Sequence, residues 1–140
     1  NNATKVPLII NVPGKDYISK ISNSPVELID IFPTLMDLTN IISPSHVVGE
    51  SLKPIIENKS SDVRKSALTR WRNGYSIRTE RFRLTKWDIN GDFQYELYDH
   101  KFDEEELEDA IENMDDKFWE MSDELENVLM EHINNSGIGK

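Results

Sequence analysis

Cysteine is absent from the 140 residues. That excludes a disulfide framework, a thiolate metal site and a cysteine nucleophile within them. No apolar run approaches the roughly 18 residues needed to span a bilayer, and no basic-then-apolar leader opens the sequence. There is no glycine-rich phosphate loop, no His-x-x-x-His pair and no G-x-S-x-G elbow. Three common routes to phosphate binding, metal binding and nucleophilic catalysis are therefore missing. Positive charge is the scarcer sign: 16 Lys and Arg against 26 Asp and Glu give a net charge of -10, which disfavours a generic nucleic-acid partner. The length is that of one domain, able to bury about two-thirds of its unfolded surface without staples.

The charge that is present is unevenly placed. Between Arg64 and Lys86 stand Arg64, Lys65, Arg70, Arg72, Arg78, Arg81, Arg83 and Lys86, opposed there only by Glu80. From Asp88 onward only Lys101, Lys117 and Lys140 are basic, against a dense run of acids from Asp103 to Glu131. The middle of the chain can attract an anion, although two such blocks can also neutralise each other as a sheet face against a helix.

Val6-Pro7-Leu8-Ile9-Ile10-Asn11-Val12, closed by Pro13-Gly14, reads as a buried strand at about 6–12. Such a run belongs inside a sheet covered on both faces, and no βαβ unit follows to supply one. Ser24-Pro25-Val26-Glu27 has the form of a capping box. Pro33 forbids one continuous helix from there, so the pattern predicts a turn at 24–29 and a helix at about 31–39, with Asp30 as its N-cap and Asn40 at its C-cap. Residues 41–65 are loop-like, apart from one helical turn at Leu52, Ile55 and Ile56. Ala67–Arg70, Tyr75–Thr79 and Phe82–Trp87 read as strands, the parity of their apolar residues switching across a turn at 79–81. Asn90-Gly91 is a second turn, and Phe93, Tyr95 and Leu97 alternate in a last strand. At Glu104 the period becomes helical. Leu107, Ile111, Met114, Phe118, Met121, Leu125, Val128, Leu129 and Ile133 share one face, with Asp103 as cap and Asn135-Ser136-Gly137 as stop. The expectation is an antiparallel meander at about 66–98 covered by one long helix at about 104–135.

The chemically suggestive segment is Thr69-Arg70-Trp71-Arg72-Asn73-Gly74-Tyr75, two guanidiniums flanking an indole in a strand-to-strand loop. Arginine forks grip sulfate, phosphate or carboxylate bidentately, and aromatic faces stack on sugar rings. A bland alternative is a surface loop whose Trp71 packs on the core. His46 is alone in a loop without a partner at ligand spacing, and the acids at 103–109 lack the spaced ligands and turn glycine of a calcium loop.

The order of segments resembles the sulfatases of the alkaline-phosphatase superfamily. Ala3-Thr4-Lys5-Val6-Pro7-Leu8-Ile9-Ile10 looks like the strand after their active-site region. Glu27-Leu28-Ile29-Asp30-Ile31-Phe32-Pro33-Thr34-Leu35-Met36-Asp37-Leu38 resembles their L-V-D-hydrophobic-hydrophobic-P-T segment, and Gly49-Glu50-Ser51-Leu52-Lys53-Pro54 resembles their G-x-S-L-x-P. The stretch from Gly74 to Trp87 is similar to a hairpin found in iduronate-2-sulfatase-type members, and Glu96-Leu97-Tyr98-Asp99 matches the E-L-Y-D after it. Asp103-Glu104-Glu105-Glu106 departs from the pattern, lacking its proline.

The resemblance implies an α+β fold: a small antiparallel sheet packed against a long C-terminal helix (66–140), preceded by a strand and helix belonging to the large α/β catalytic domain (1–65). It implies the C-terminal portion of a hydrolase of sulfate esters, those of a sulfated, glycosaminoglycan-like carbohydrate, with this portion shaping the substrate pocket. Family catalysis uses a formylglycine made in a C/S-x-P-S-R motif and a calcium ion, and neither that motif nor the calcium ligands are expected in these residues, so no catalytic or metal residue is assigned to them. Arg70, Trp71 and Arg72 are the expected substrate contacts, while Arg78 and Arg83 are expected to be structural, paired with Asp99 or the acidic helix. The implied partners are the sulfated carbohydrate and the N-terminal catalytic part of the same protein, with no nucleic acid and no membrane span, in a periplasmic, extracellular or lysosomal setting. A non-catalytic anionic-glycan-binding module and a phosphatase or phosphonate hydrolase of the same superfamily remain as alternatives.

Overall fold

The computed structural model describes residues 4–14, 21–113 and 116–136, and the chain divides into two compact units that part between Lys65 and Ser66.

In the unit up to Lys65, a 3₁₀ turn at Leu28–Asp30 runs into helix α1 (Ile31–Leu38). The change of winding leaves Pro33 in the first turn of α1, where a missing N–H is no loss. The reciprocal box forms between Glu27 and Asp30 and not from Ser24, whose hydroxyl donates to the Pro25 carbonyl at 3.2 Å. Asp30 does not cap α1 with its side chain. Its fully buried carboxylate accepts the N–H groups of Glu27 and Glu50, each at 2.8 Å, and pairs with Arg64. Asn40 closes α1 at φ 56°, with the Ile41 N–H donating to Met36 O at 2.8 Å and the Asn40 N–H to Asp37 O at 3.3 Å, a Schellman arrangement. Helix α2 (Lys53–Ile56) is the expected short turn. Thr34 Oγ1 accepts the Leu52 N–H at 2.8 Å and so ties α2 to α1.

The strand expected at 6–12 is not formed. No second strand lies in this unit among the described residues, so the segment has no ladder to join, and Val6, Leu8, Ile9 and Ile10 are exposed.

The second unit is the expected meander. Strands β1 (Ser66–Trp71), β2 (Gly74–Thr79), β3 (Phe82–Ile89) and β4 (Asp92–Asp99) lie in chain order, all antiparallel. The register aligns Leu68, Ile77, Leu84 and Leu97 in one row across all four strands. Because side chains alternate along a strand, this row defines the face that becomes the core. Ile77, Leu84 and Leu97 are fully buried under Leu125, Leu129 and Ile133 of helix α3 (Asp116–Ser136). Glu126 fastens that helix at one edge: a single carboxylate oxygen accepts from Lys86 Nζ at 2.6 Å and from the Tyr95 hydroxyl at 2.8 Å. The Asn90-Gly91 turn carries the φ values of 58° and 94° that its dipeptide announces.

The long helix does not begin at Glu104. A 3₁₀ turn starts at Ala110 and α3 at Asp116. Three tertiary claims on the acidic run outweigh its helical period. Glu106 pairs with Arg83 at 3.1 Å and with His100 at 2.6 Å, its own φ being 60°. Asp103 accepts the Glu108 N–H at 2.9 Å, and Asp109 accepts the N–H groups of Leu97 and Ile111, both at 3.0 Å. Leu107, expected on the buried face, is 78% exposed. Met114 and the expected stop at Gly137 lie outside the described residues.

Candidate functional site

The β1–β2 and β3–β4 turns lie at the same end of the sheet. There the register sets Trp71, Gly74, Trp87 and Gln94 side by side, on the face opposite the core row. Gly74 is required: a Cβ on it would stand 2.4 Å from two carbons of the Trp87 ring, which lies against the backbone. The turn residue Arg72 holds a left-handed φ of 52°. Its neighbour Asn73 is bound to Asp88 from both sides, the Asn73 Nδ2 donating to Asp88 O and the Asp88 N–H to Asn73 O at 3.0 Å.

Trp71 is 64% exposed, and the Arg72 guanidinium stands 5.6 Å from its ring centroid. Arg70 points to the other face of β1, 5.4 Å from the Tyr75 ring. The structure therefore brings Trp71 and Arg72 together and sets Arg70 apart from them. An indole face with a guanidinium over it offers a flat apolar surface for sugar C–H groups beside a planar donor for an anion.

The other arginines are engaged elsewhere. Arg83 meets Glu106, as a structural arginine would. Arg78 donates to the carbonyls of Thr79 and Phe82, and burial, reinforced by Arg83, lowers its pKa. Asp99, expected as a partner of one of these two, is held instead by Arg81 through two bonds of 2.8 and 2.6 Å. That fork, followed by the Lys101 N–H, keeps the Asp99 carboxyl below its ordinary pKa. Among the described residues no three His, Asp or Glu side chains gather in a group that could hold a metal ion. His46 is exposed in its loop.

Asn73 lies inside the segment singled out from the sequence without an assigned role, and Asp88 and Trp87 lie outside it. The Asn73-Gly74 dipeptide is a turn signal that could have drawn attention to the first. Trp87 becomes visible only once the register places it opposite Gly74.

Residues 1–135 match the family model described as N-sulphoglucosamine sulphohydrolase, C-terminal. An N-acetylglucosamine-6-O-sulfatase of Bacteroides thetaiotaomicron is 31% identical over 115 residues, covering 74% of this chain and 20% of that protein. An arylsulfatase of Clostridium perfringens is 30% identical over 139 residues, covering 94% of this chain and 28% of that protein. A solved structure described as a complex with its substrate D-glucosamine-2-N,6-O-disulfate aligns with a TM-score of 0.66 and 27% identity, over 77% of this chain and 24% of that one. The chain thus spans between 20% and 28% of the length of these relatives.

Proposed function

The chain belongs to the sulfatase family, as a C-terminal portion, and from that premise we propose that it forms the substrate-side wall of an enzyme hydrolysing sulfate esters of a glycosaminoglycan-like carbohydrate. The observation that carries the reading is the exposed Trp71 face with Arg72 above it on a turn anchored to β3. Trp71 stacks on a sugar ring and Arg72 takes a sulfate or carboxylate of the same sugar, while Arg70, on Tyr75, supports the strand edge from the other face. The uronate 2-O-sulfate class, which the Gly74–Trp87 hairpin resembles, is the finer form of this reading. Bond cleavage belongs to the remainder of the protein, where a formylglycine would supply the nucleophile and calcium would neutralise the sulfate oxygens.

That remainder is the proposed partner of the unit up to Lys65, read here as the end of the α/β catalytic domain. Leu28, Phe32 and Leu35 are all exposed and recur at helical spacing along the 3₁₀ turn and α1. Unpartnered apolar stripes of this kind mark surfaces that another body covers. A compartment outside the cytoplasm follows from the family reading, and no helix among the described residues is long and apolar enough to cross a membrane.

The test is a screen of the full-length protein against sulfated oligosaccharides, followed by Trp71→Ala and Arg72→Ala. Each substitution is expected to raise KM by about tenfold, equivalent to ~1.4 kcal/mol, with a smaller effect on kcat. Sulfate release with unchanged KM in both variants would remove the contact assignment. Glycan binding without any sulfate release would favour the non-catalytic module, and phosphate release in its place the sister hydrolases.

A further inference from the structure

Arg72 is a non-glycine residue in the left-handed region, in a two-residue turn whose residues, Arg72 and Asn73, are both exposed. Such a conformation persists only where the surroundings over-determine it. Here the surroundings are two residues that touch no candidate ligand group. Asn73 is joined to the main chain of Asp88 by the two bonds described above. The Asp88 carboxylate accepts the Gly91 N–H at 2.8 Å, fixing the β3–β4 turn. Asp88 is thus a rivet: its main chain holds one hairpin turn and its side chain the other. Gly74, with the Trp87 ring against it, closes the same row from below.

We propose that Asn73 and Asp88 are positioning residues that join the two turns into one rigid rim, holding Trp71 and Arg72 ready for a sulfated sugar. The proposal rests on the reading of Trp71 and Arg72 as the substrate contact. Its physical content is preorganisation. A free turn of this length would sample several conformations and lose that freedom on binding, whereas a turn already fixed loses little.

The experiment uses the full-length protein, with D-glucosamine-2-N,6-O-disulfate as the probe and two readouts: the dissociation constant, and backbone order parameters at Arg72, Asn73 and Gly74 in the free protein. Asn73→Ala is expected to weaken binding by about fivefold and to lower the order parameters of the turn from the rigid value of about 0.85 towards 0.6. Asn73→Asp keeps the shape but loses the N–H donor, and should behave as Asn73→Ala does. Asp88→Ala keeps the main-chain bonds to Asn73 and should loosen the β3–β4 turn at Gly91 alone. Trp71→Ala should weaken binding by about tenfold and leave the order of the turn unchanged. Turn order in Asn73→Ala equal to that of the wild type overturns the proposal, with or without sugar present. Weakened binding with an unchanged turn would make Asn73 a direct contact and overturns it equally. If Trp71→Ala and Arg72→Ala bind as the wild type does, or the wild type does not bind, the contact reading beneath the proposal has failed, whatever Asn73 does to the turn.

Discussion

Gly74 and Asp30 show how single residues carry the two units. An added methyl at Gly74 would meet the Trp87 ring at 2.4 Å, and the ring must move or the strands must part. Gly74→Ala is expected to cost about 1–3 kcal/mol in chemical denaturation and to disturb the amides of Arg72 and Asn73 in the same spectrum. A variant as stable as the wild type would mean that the ring has free space to move into. Asp30 is the opposite case, a charge made tolerable by its partners. Its fully buried carboxylate depends on Arg64, 34 residues on, which also pairs with Glu27 at 2.9 Å. Arg64→Ala leaves that carboxylate uncompensated and should destabilise the unit up to Lys65 by about 3–5 kcal/mol, read by urea titration of residues in α1. The sequence marks Asp30 as a helix cap, because an aspartate ahead of an apolar helical period is the usual sign of one. Its use as a buried anchor depends on Arg64, and nothing local identifies a partner so far along the chain.

At the scale of the element, what could be read was what is fixed locally. The switch of apolar parity between Ile77 and Leu84 implies a turn, and the register indeed pairs those two residues. Asn90-Gly91 demands positive φ at two successive residues and takes it. The start of α3 failed for the complementary reason. The period from Leu107 onward is a true helical pattern, but a period says nothing of Arg83 and His100, which draw Glu106 back to the sheet. Once docked, α3 is held mainly by burial. Leu129 is fully buried against Ile77 and Leu84, so Leu129→Ala should cost about 2–5 kcal/mol and expose the core row to exchange. The end of β4 is held by charge. The Arg81 fork holds the pKa of Asp99 below that of an ordinary aspartate. A carboxylate with a depressed folded pKa stabilises the fold above its unfolded pKa of about 3.9, and that contribution disappears as pH falls through the lower folded value. The urea midpoint should therefore drop between pH 5 and pH 2, and Arg81→Gln should flatten that part of the profile. An unchanged profile in the variant would assign acid sensitivity to other carboxylates.

At the scale of the whole molecule, the exposed apolar residues are distributed unequally. Val6, Leu8, Ile9, Ile10, Leu28, Ile29, Phe32, Leu35, Ile41, Ile42 and Val48 are in the unit up to Lys65, whereas the second unit, though it too exposes Trp71, Ile89, Phe93, Phe102, Leu107, Trp119 and Met130, closes a core of its own under α3. Ile9 is 89% exposed, and both parities of the 6–10 run are apolar, which is the pattern of a strand covered on two sides. The sequence carries the propensity of this strand, but a strand also needs neighbours for its N–H and C=O groups, and the strands among the described residues are all in the other unit's sheet. The expectation is that amides at 8–12 exchange within the dead time of a manual experiment, while those of Ile77, Leu84 and Leu97 persist for hours. Including the remainder of a full-length parent should then slow 8–12 to the rate of the core row and raise solubility, because the same residues gain both hydrogen bonds and apolar cover. Protection of 8–12 equal to that of Leu84 in the 140-residue chain would show that the segment is satisfied without a partner. The proposed seat of the catalytic part on this unit would then have to be given up.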